Sequence, residues 1–332
     1  MVCRRTVQLA ITAVLSGVLT VGCGRENAVG LAATVRQAAL DGVETGTLML
    51  PNLPTSVKFA VIGDSGRGNK PQRDVADQMA RYHEQFEFPF TIMLGDNLYE
   101  GAATPEDYRV KFEDPYKALL DRGVDFYAAL GNHDDPKQVH YERFHMKGRR
   151  YYSFRPPGIL LPVTTTTVEF FALDSTYLDQ RQLTWLERGL AGSTAAWKIC
   201  FLHHPLYTSG RYRRSALADR AALEPLLVRH DVNAVFSGHE HIYQRSTLQS
   251  GIQYFVSGGA GSLRPNDGVP TSYIARTYSG DYHFMLVEID RDELHFQAIS
   301  RTGRTIDAGT LSRAGRSLPA SSITALGMAG RR

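Results

Sequence analysis

The sequence has little cysteine, with only Cys3, Cys23 and Cys200 among 332 residues. Cys3 and Cys23 belong to the N-terminal segment, and Cys200 lies in an apolar stretch, 197–202, that predicts a buried strand. So few cysteines exclude the disulfide framework on which small secreted domains depend. The fold must therefore be stabilised by a hydrophobic core, in which Cys200 is predicted to be an inert packed thiol.

The chain also has little excess charge. Lys and Arg number 37 against 34 Asp and Glu, which gives a net charge of +3. Because the excess is small and scattered, it does not indicate a nucleic-acid partner. There is no internal repeat, and the roughly 250 to 280 residues that follow Pro54 suit one large domain with a substantial core.

The N-terminal segment has the pattern of an export signal. Arg4-Arg5 precedes an apolar run from Val7 to Val21, which is short for a membrane span. Gly22-Cys23 then resembles a bacterial lipoprotein processing site, although Thr20 occupies a position where such sites usually have Leu. Residues 1–23 are therefore predicted to be a signal peptide, with Cys23 a candidate for lipidation. Ordinary cleavage nearby and a retained anchor are the alternatives. The protein is expected in the periplasm or outside the cell. Its only expected membrane contact is an N-terminal lipid anchor, if Cys23 is lipidated.

The rest of the chain divides into three predicted parts. Residues 24–54 form a tether in which Leu31 to Leu40 has the composition of a short helix, 55–312 form the domain, and 313–332 form a disordered tail. Predicted strands and helices alternate as far as Val232 to Phe236, with a helix over 105–120 and a short one near 137–144 among them. Further strands follow without helices. This pattern favours an α/β fold with a parallel sheet covered by helices, to which final hairpins add antiparallel strands.

Five short polar motifs each follow a predicted apolar strand. In chain order they are Gly63-Asp64-Ser65-Gly66, Gly95-Asp96-Asn97-Leu98-Tyr99, Gly131-Asn132-His133-Asp134, His203-His204-Pro205 and Gly238-His239-Glu240-His241. Any one alone is a weak signal, because Gly-Asp is common in tight turns. Five in succession are not explained by turns. In α/β folds ligands bind at the carboxyl ends of the strands, so these side chains are expected to share one site.

The ordered set resembles the calcineurin-like metallophosphoesterase superfamily. With Tyr99 three residues after Asp96, the motif resembles that of the purple acid phosphatase type, in which a tyrosine phenolate binds ferric iron. The stretches 95–99, 111–114 and 171–174 most resemble the small, tartrate-resistant members, and the likeness extends over about 57–301. It implies a four-layer α/β/β/α sandwich, with two mixed sheets flanked by helices.

The resemblance also implies a site for two metal ions that share Asp96. Metal one would be bound by Asp64, Asp96, Tyr99 and His241, and metal two by Asp96, Asn132, His203 and His239. The implied ions are Fe(III) with Fe(II), Zn or Mn. The donors agree with this, because carboxylate and phenolate oxygens suit a trivalent iron, whereas imidazoles with an amide oxygen suit a divalent ion.

Three further residues are candidate catalytic residues. In the family, the histidine at the position of His133 faces the substrate, where it would orient phosphate and help to protonate the leaving group. Asp134 is expected to orient His133. His204 is expected to support the ligands, and the choice of His203 over His204 as a ligand follows the family pattern.

The sequence departs from the small animal-type enzymes at one place. Those enzymes have another substrate-facing histidine after His-x-Pro, but the segment Gly210-Arg211-Tyr212-Arg213-Arg214 has none. The residue that protonates the leaving group is therefore open, with His145 as a candidate from the side of Gly131. The three arginines would favour a polyanionic or bulky phosphorylated substrate, or they form a solvated basic loop.

The implied function is a binuclear-metal phosphatase that hydrolyses phosphomonoesters by attack of a metal-bridging hydroxide. A phosphodiesterase with the same metal site is the alternative among enzymes. A non-catalytic surface binding protein with a vestigial site is the alternative from another class, and the seven competent ligand residues argue against it. The expected partner is a small-molecule phosphoester.

Overall fold

The computed structural model describes residues 33–156 and 166–313. The predicted signal peptide with Cys23 and the tail from residue 314 onward lie outside the described residues. Within the described ranges, none of the helices has the length and apolar character needed to cross a membrane.

The described strands form two mixed seven-stranded sheets. From edge to edge, the first sheet contains β1 (Thr34–Gln37), β14 (Thr305–Ser312), β13 (Glu293–Ser300), β12 (His283–Asp290), β2 (Val57–Ile62), β3 (Phe90–Met93) and β4 (Asp125–Ala128). The second contains β11 (Ile274–Tyr278), β9 (Tyr243–Ser246), β10 (Gln253–Ser257), β8 (Ala234–Ser237), β7 (Trp197–Leu202), β6 (Val168–Ala172) and β5 (Tyr152–Phe154).

Parallel strands occupy one side of the first sheet and the centre of the second. Strands β2, β3 and β4 are parallel, as are β6, β7, β8 and β10. The intervening helices are α1 (Lys70–His83), α2 (Pro105–Tyr108), α3 (Lys117–Leu120), α4 (Gln180–Gly192) and α5 (Ala216–Arg229). A π-helical turn at Arg109–Glu113 and 3₁₀ turns at Pro136–His140 and Glu142–Phe144 complete the described helical elements. Because helices cover these strands, the strands are apolar almost throughout rather than alternating.

The two sheets pack face to face through aromatic side chains. Phe59 of β2 lies edge-on to Phe170 of β6 and Phe236 of β8, at centroid distances of 5.1 and 6.0 Å. Phe255 and Phe296 make a similar contact between β10 and β13 at 5.0 Å. Such edge-to-face pairs add to the free energy of burial.

Helices cover the outer faces. On the first sheet, Tyr82 of α1 packs edge-on to Phe284 of β12 at 5.9 Å. On the second sheet, apolar residues of α4 and α5 form a separate core with β7 and β8; among them are Leu186, Leu190, Leu223 and Leu227. The predicted α/β/β/α arrangement of two mixed sheets with flanking helices is therefore confirmed. Cys200 is buried in this second core as expected, and burial raises the pKa of its thiol.

Three local predictions were wrong. Residues 31–40 do not form a helix, because Thr34–Gln37 pairs antiparallel with β14. The helix predicted over 105–120 is interrupted by the π-helical turn, and the one over 137–144 consists of two 3₁₀ turns. Strands β9, β11 and β14 were not predicted. In β9 the buried residues are Tyr-Gln-Arg-Ser. Their polar side chains bond Asp307 of β14 and Ser209 of a loop, so their burial leaves no apolar pattern.

Candidate metal centre

All five motifs lie at the carboxyl ends of their strands, along one edge of the two packed sheets. The first three follow β2, β3 and β4, and the last two follow β7 and β8. The turns are joined by backbone hydrogen bonds, from Asp64 N to Gly95 O at 3.0 Å and from Gly238 N to His203 O at 3.0 Å. Each of these bonds lies within one sheet, and the amide of His239 donates to Asp64 Oδ2 across the two, so both sheets contribute to one site.

Three of the predicted ligands have left-handed backbone. Asp64, Asp96 and His239 have φ of 55°, 53° and 68°. A non-glycine residue in this region costs on the order of 1 kcal/mol or more, so the conformation persists only where surrounding contacts fix it. One such contact runs from the amide of His239 to Asp64 Oδ2 at 2.7 Å. This backbone turns the side chains toward a common point.

One group of side chains, here called the oxygen cluster, consists of Asp64, Asp96, Tyr99 and His241. One donor atom each from Asp64, Asp96 and His241 lie within 4.8 Å of one another. The Tyr99 hydroxyl is 3.1 Å from Asp64 Oδ1 and 3.0 Å from His241 Nε2. Burial and the two carboxylates raise the pKa of Tyr99 well above its ordinary value. A phenolate here therefore requires a strong local cation.

A second group, the imidazole cluster, consists of Asn132, His203, His204 and His239. One nitrogen from each of the three histidines lies within 4.8 Å of the others. His203 Nε2 is 3.0 Å from Asn132 Oδ1 and 3.2 Å from His239 Nδ1. It also lies 3.4 Å from Asp96 Oδ1, so Asp96 connects the two clusters.

The donor atoms fit metal ions. His203 Nδ1 lies 2.9 Å from the carbonyl oxygen of Leu94, which requires the proton on Nδ1 and leaves the lone pair of Nε2 facing the oxygens of Asn132 and Asp96. Lone pairs that converge in this way need a cation between them. Burial opposes a charge on His203, but Asp96 and Asp64 outweigh it and raise the pKa of the imidazole. A bound metal would take the place of that proton.

The other two imidazoles remain neutral. Burial, together with repulsion from neighbouring imidazoles, lowers the pKa of His239 to about 2 and that of His204 to about 4. Burial likewise opposes ionisation of Asp96, but His203 and the amide of His133 favour it, so the pKa of Asp96 lies below its usual range. His239, His204 and Asp96 are thus in their metal-binding protonation states over acidic as well as neutral pH, whereas Tyr99 and His203 must each lose a proton when a metal binds.

Asp134 does not orient His133, contrary to expectation. Its carboxylate accepts hydrogen bonds from Gly131 N, Leu98 N, Asn97 Nδ2 and Gln138 Nε2, at 2.8 to 3.1 Å. Burial, with Asp96 nearby, raises the pKa of Asp134 to about 6. Asp134 therefore holds the loops of the second and third motifs together. It would affect the reaction by positioning these loops rather than by orienting His133.

His133 lies at the open side of the site. Its amide donates to Asp96 Oδ1 at 3.0 Å, and its ring, on an exposed residue, packs at 4.9 Å from the Tyr99 ring. This position is compatible with contact to a substrate. His145 is not near the site, because its Nδ1 lies 3.0 Å from the carbonyl oxygen of Phe126, beside the first residue of β4 and at the opposite end of that strand. The structure thus places the candidate His145 away from the site.

Several neighbouring contacts were not predicted from the sequence. Ser175 hydrogen-bonds Nδ1 of His204 at 2.9 Å, and its only sequence signal was that it follows the end of β6. Tyr212 packs its ring 4.3 Å from that of His239. Buried Glu240, inside the fifth motif, accepts from Tyr212 N at 2.6 Å and pairs with Arg264 at 3.0 Å.

The loop that lacks the expected histidine is thereby held beside the imidazole cluster. Arg211, Arg213 and Arg214 in this loop are exposed, and none forms an ion pair with a carboxylate in the described ranges. The loop therefore presents positive charge at the rim of the site.

Comparison with known proteins agrees with this geometry. The family model described as calcineurin-like phosphoesterase matches residues 57–243, more than half of the chain, so the chain belongs to that family. Among its relatives are purple acid phosphatases. Purple acid phosphatase 4 of Arabidopsis thaliana is 30% identical over 273 residues, covering 74% of this chain and 80% of that protein. Human tartrate-resistant acid phosphatase type 5 is 26% identical over 303 residues, covering 78% and 93%.

Known structures share the fold. GAP50, described as the anchor in the inner membrane complex of Plasmodium, superposes with a TM-score of 0.68 at 20% identity, covering 79% of this chain and 90% of its own. Purple acid phosphatase PPD1 from yellow lupin gives 0.60 at 17% identity, covering 83% and 58%. At these identities the structures establish the fold alone. With the sequence relatives, they define a hydrolase of the phosphoesterase superfamily.

Proposed function

We propose that this hydrolase is a phosphomonoesterase with two metal ions, Fe(III) in the oxygen cluster and Fe(II), Zn or Mn in the imidazole cluster. The observation that carries the proposal is the convergence of all seven predicted ligands as two adjacent clusters connected by Asp96. Asp64, Asp96, Tyr99 and His241 would hold the first ion. Asp96, Asn132, His203 and His239 would hold the second.

When bound, such a pair supplies an activated water and neutralises charge on a phosphoryl group. Side chains of the site would orient the substrate and transfer protons. His133, exposed beside Tyr99, would orient the phosphoryl oxygens and could pass a proton to the leaving group. Asp134 holds the loops of the second and third motifs together, and Ser175 fixes the ring of His204 against the ligand His239.

We place the protein outside the cytoplasm, on the strength of the predicted signal peptide. If Cys23 is lipidated, Cys23→Ala should move the protein from the membrane fraction to the soluble fraction. Labelled fatty acid that failed to enter the parent protein would remove the lipoprotein hypothesis and leave ordinary export.

The activity is tested by loading the purified protein with iron and zinc and following p-nitrophenol release. We expect turnover of p-nitrophenyl phosphate to exceed that of the bis(p-nitrophenyl) ester, with metal content measured in parallel. Preference for the bis ester would favour a phosphodiesterase. Full metal content without turnover of either ester would overturn both enzymatic readings and favour a binding protein with a vestigial site.

A further inference from the structure

Arg67 stacks on the ring of Tyr99. Its guanidinium carbon lies 3.5 Å from the ring centroid. This arginine directly follows the first motif in the sequence but belongs to none of the five motifs. A cation over an aromatic face is attracted by the ring quadrupole, and the attraction grows when the ring carries negative charge.

The stack is built into the fold. Arg67 Nε donates to Ser262 Oγ at 3.1 Å, and Arg67 N donates to Ser65 O at 2.8 Å. Tyr99 is 2% exposed, and its amide donates to Gly66 O at 2.8 Å. The loops that carry Arg67 and Tyr99 are therefore joined by a backbone hydrogen bond. The guanidinium therefore has little freedom to leave the ring.

Glu100 partly balances the charge of Arg67. Its Oε1 lies 3.3 Å from Arg67 Nη1, but the Glu100 side chain is 84% exposed. Solvent screens such an exposed carboxylate strongly, whereas the guanidinium faces a buried ring. Arg67 thus contributes a positive potential at the ring of Tyr99, which Glu100 offsets only in part.

We propose that Arg67 is a positioning residue that tunes the electronic state of the Tyr99 ligand. The inference rests on the proposed function, because it requires Tyr99 to bind Fe(III) as a phenolate. Light then moves an electron from the phenolate to the metal in a visible charge-transfer transition. The guanidinium lies on the electron donor, and the Coulomb energy decreases with distance, so it stabilises the phenolate more than the ion beyond the oxygen. The cation therefore raises the transition energy.

The primary test is the visible spectrum of the iron-loaded protein. In Arg67→Met the band should move to longer wavelength, and Arg67→Lys, which keeps a cation near the ring, should give a smaller shift. Arg313→Met is the matched control, since Arg313 stacks at 5.9 Å on Trp197, the first residue of β7 at the far end of that strand.

Glu100→Gln provides a second test with the opposite sign. It removes an exposed carboxylate and leaves Arg67 in place, so folding should be preserved and the band should move to shorter wavelength. This variant keeps the inference testable even if Arg67→Met binds iron poorly, which iron content will reveal.

The outcomes separate the two proposals. A colourless iron-loaded parent protein would overturn the tyrosinate–iron centre, and this inference with it. A coloured parent whose band stays fixed in both Arg67→Met and Glu100→Gln would overturn this inference alone. An equal shift in Arg313→Met would also overturn it, because the effect would then not depend on the stack.

Discussion

The oxygen cluster and the imidazole cluster are neighbours, yet their environments differ. Asp64 and Asp96 are almost fully buried carboxylates, and burial raises the pKa of Tyr99 beside them. In the imidazole cluster, His204 and His239 are partly exposed, and burial with neighbouring imidazoles keeps them neutral. The first cluster contains two buried carboxylates, while the second has the shared Asp96 as its only carboxylate and is open to the rim.

This difference bears on how the two ions would behave. Buried anionic oxygens favour a small ion of high charge and hold it tightly, whereas neutral imidazoles favour a divalent ion. We therefore expect the ion of the imidazole cluster to exchange first. Variants of single residues test this difference between the two clusters.

Replacement of the shared residue should abolish the contrast by disabling both clusters. In Asp96→Asn one anionic oxygen is lost to each ion, so metal content should fall and activity should decrease by more than about a hundredfold, beyond the range for loss of a supporting partner. Metal analysis and p-nitrophenyl phosphate turnover measure the two effects. Asp121→Asn, an exposed residue paired with Lys117, is the control. Full metal with near-normal turnover in Asp96→Asn would contradict the two-metal proposal.

Single histidine variants should separate the clusters. His239→Ala removes an imidazole from the divalent site, so the second ion should be lost while the visible colour of the iron-loaded protein remains. His241→Ala removes a ligand beside Tyr99, so the colour should weaken first. The measurements are the iron-to-zinc ratio and the visible spectrum of each variant. Equal loss of both ions in both variants would mean that the clusters do not act separately.

Tyr99→Phe should affect colour more than catalysis. Without the phenolate the charge-transfer band should disappear, while Asp64, Asp96 and His241 still offer a weaker site. Activity should therefore fall less than in Asp96→Asn. A band that survived Tyr99→Phe unchanged would show that another ligand produces it, and would leave the broader phosphoesterase assignment without the tyrosinate centre.

The smallest effect concerns stability behind the oxygen cluster. His283 lies beneath the loop 258–261, and a Cβ added at Gly258 of that loop would lie 2.6 Å from Asp64 Oδ2. Burial lowers the pKa of His283 to about 4, whereas an unfolded chain titrates near 6.5. The unfolded state therefore takes up the proton first, and the free energy of unfolding should decrease as pH falls from about 6.5 toward 4, by up to about 3 kcal/mol.

The pH effect can be isolated by comparison. Denaturant unfolding at several pH values should show a flatter dependence in His283→Phe than in the parent protein. Parallel curves would mean that His283 is not the group responsible.

The clusters could be predicted from sequence to the extent that each ligand follows a short apolar strand. The carboxyl ends of parallel strands lie at the same edge of a sheet. The Gly-Asp and Gly-His motifs at these ends were therefore enough to predict that the candidate ligands lie close together. The contacts of Asp134 could not be predicted, because adjacency to His133 in sequence does not determine which way a side chain turns. The Arg67 stack was equally hidden, since it depends on the packing of two loops rather than on spacing.

The fold, too, could be predicted from the sequence only in part. The apolar parallel strands β2, β3, β7 and β8 were evident from composition. Strand β1 was not, because the segment owes its extended form to β14, at the other end of the described chain. Strand β9 could not be predicted because it buries two polar residues, Gln244 and Arg245. Their hydrogen-bond partners are distant in the sequence.

The pairing of β1 with β14 has a further consequence for how the chain could be rearranged. Thr34 lies opposite Ser312, so the two ends of the described domain meet at one sheet edge. A short loop could join them, and new termini could be opened at the turn between Gln249 and Ile252, where Ser250 and Gly251 are exposed. Such a circular permutant would begin after the fifth motif and still bring all five to the same place. The site therefore depends on which strands lie side by side rather than on the order of the motifs along the chain.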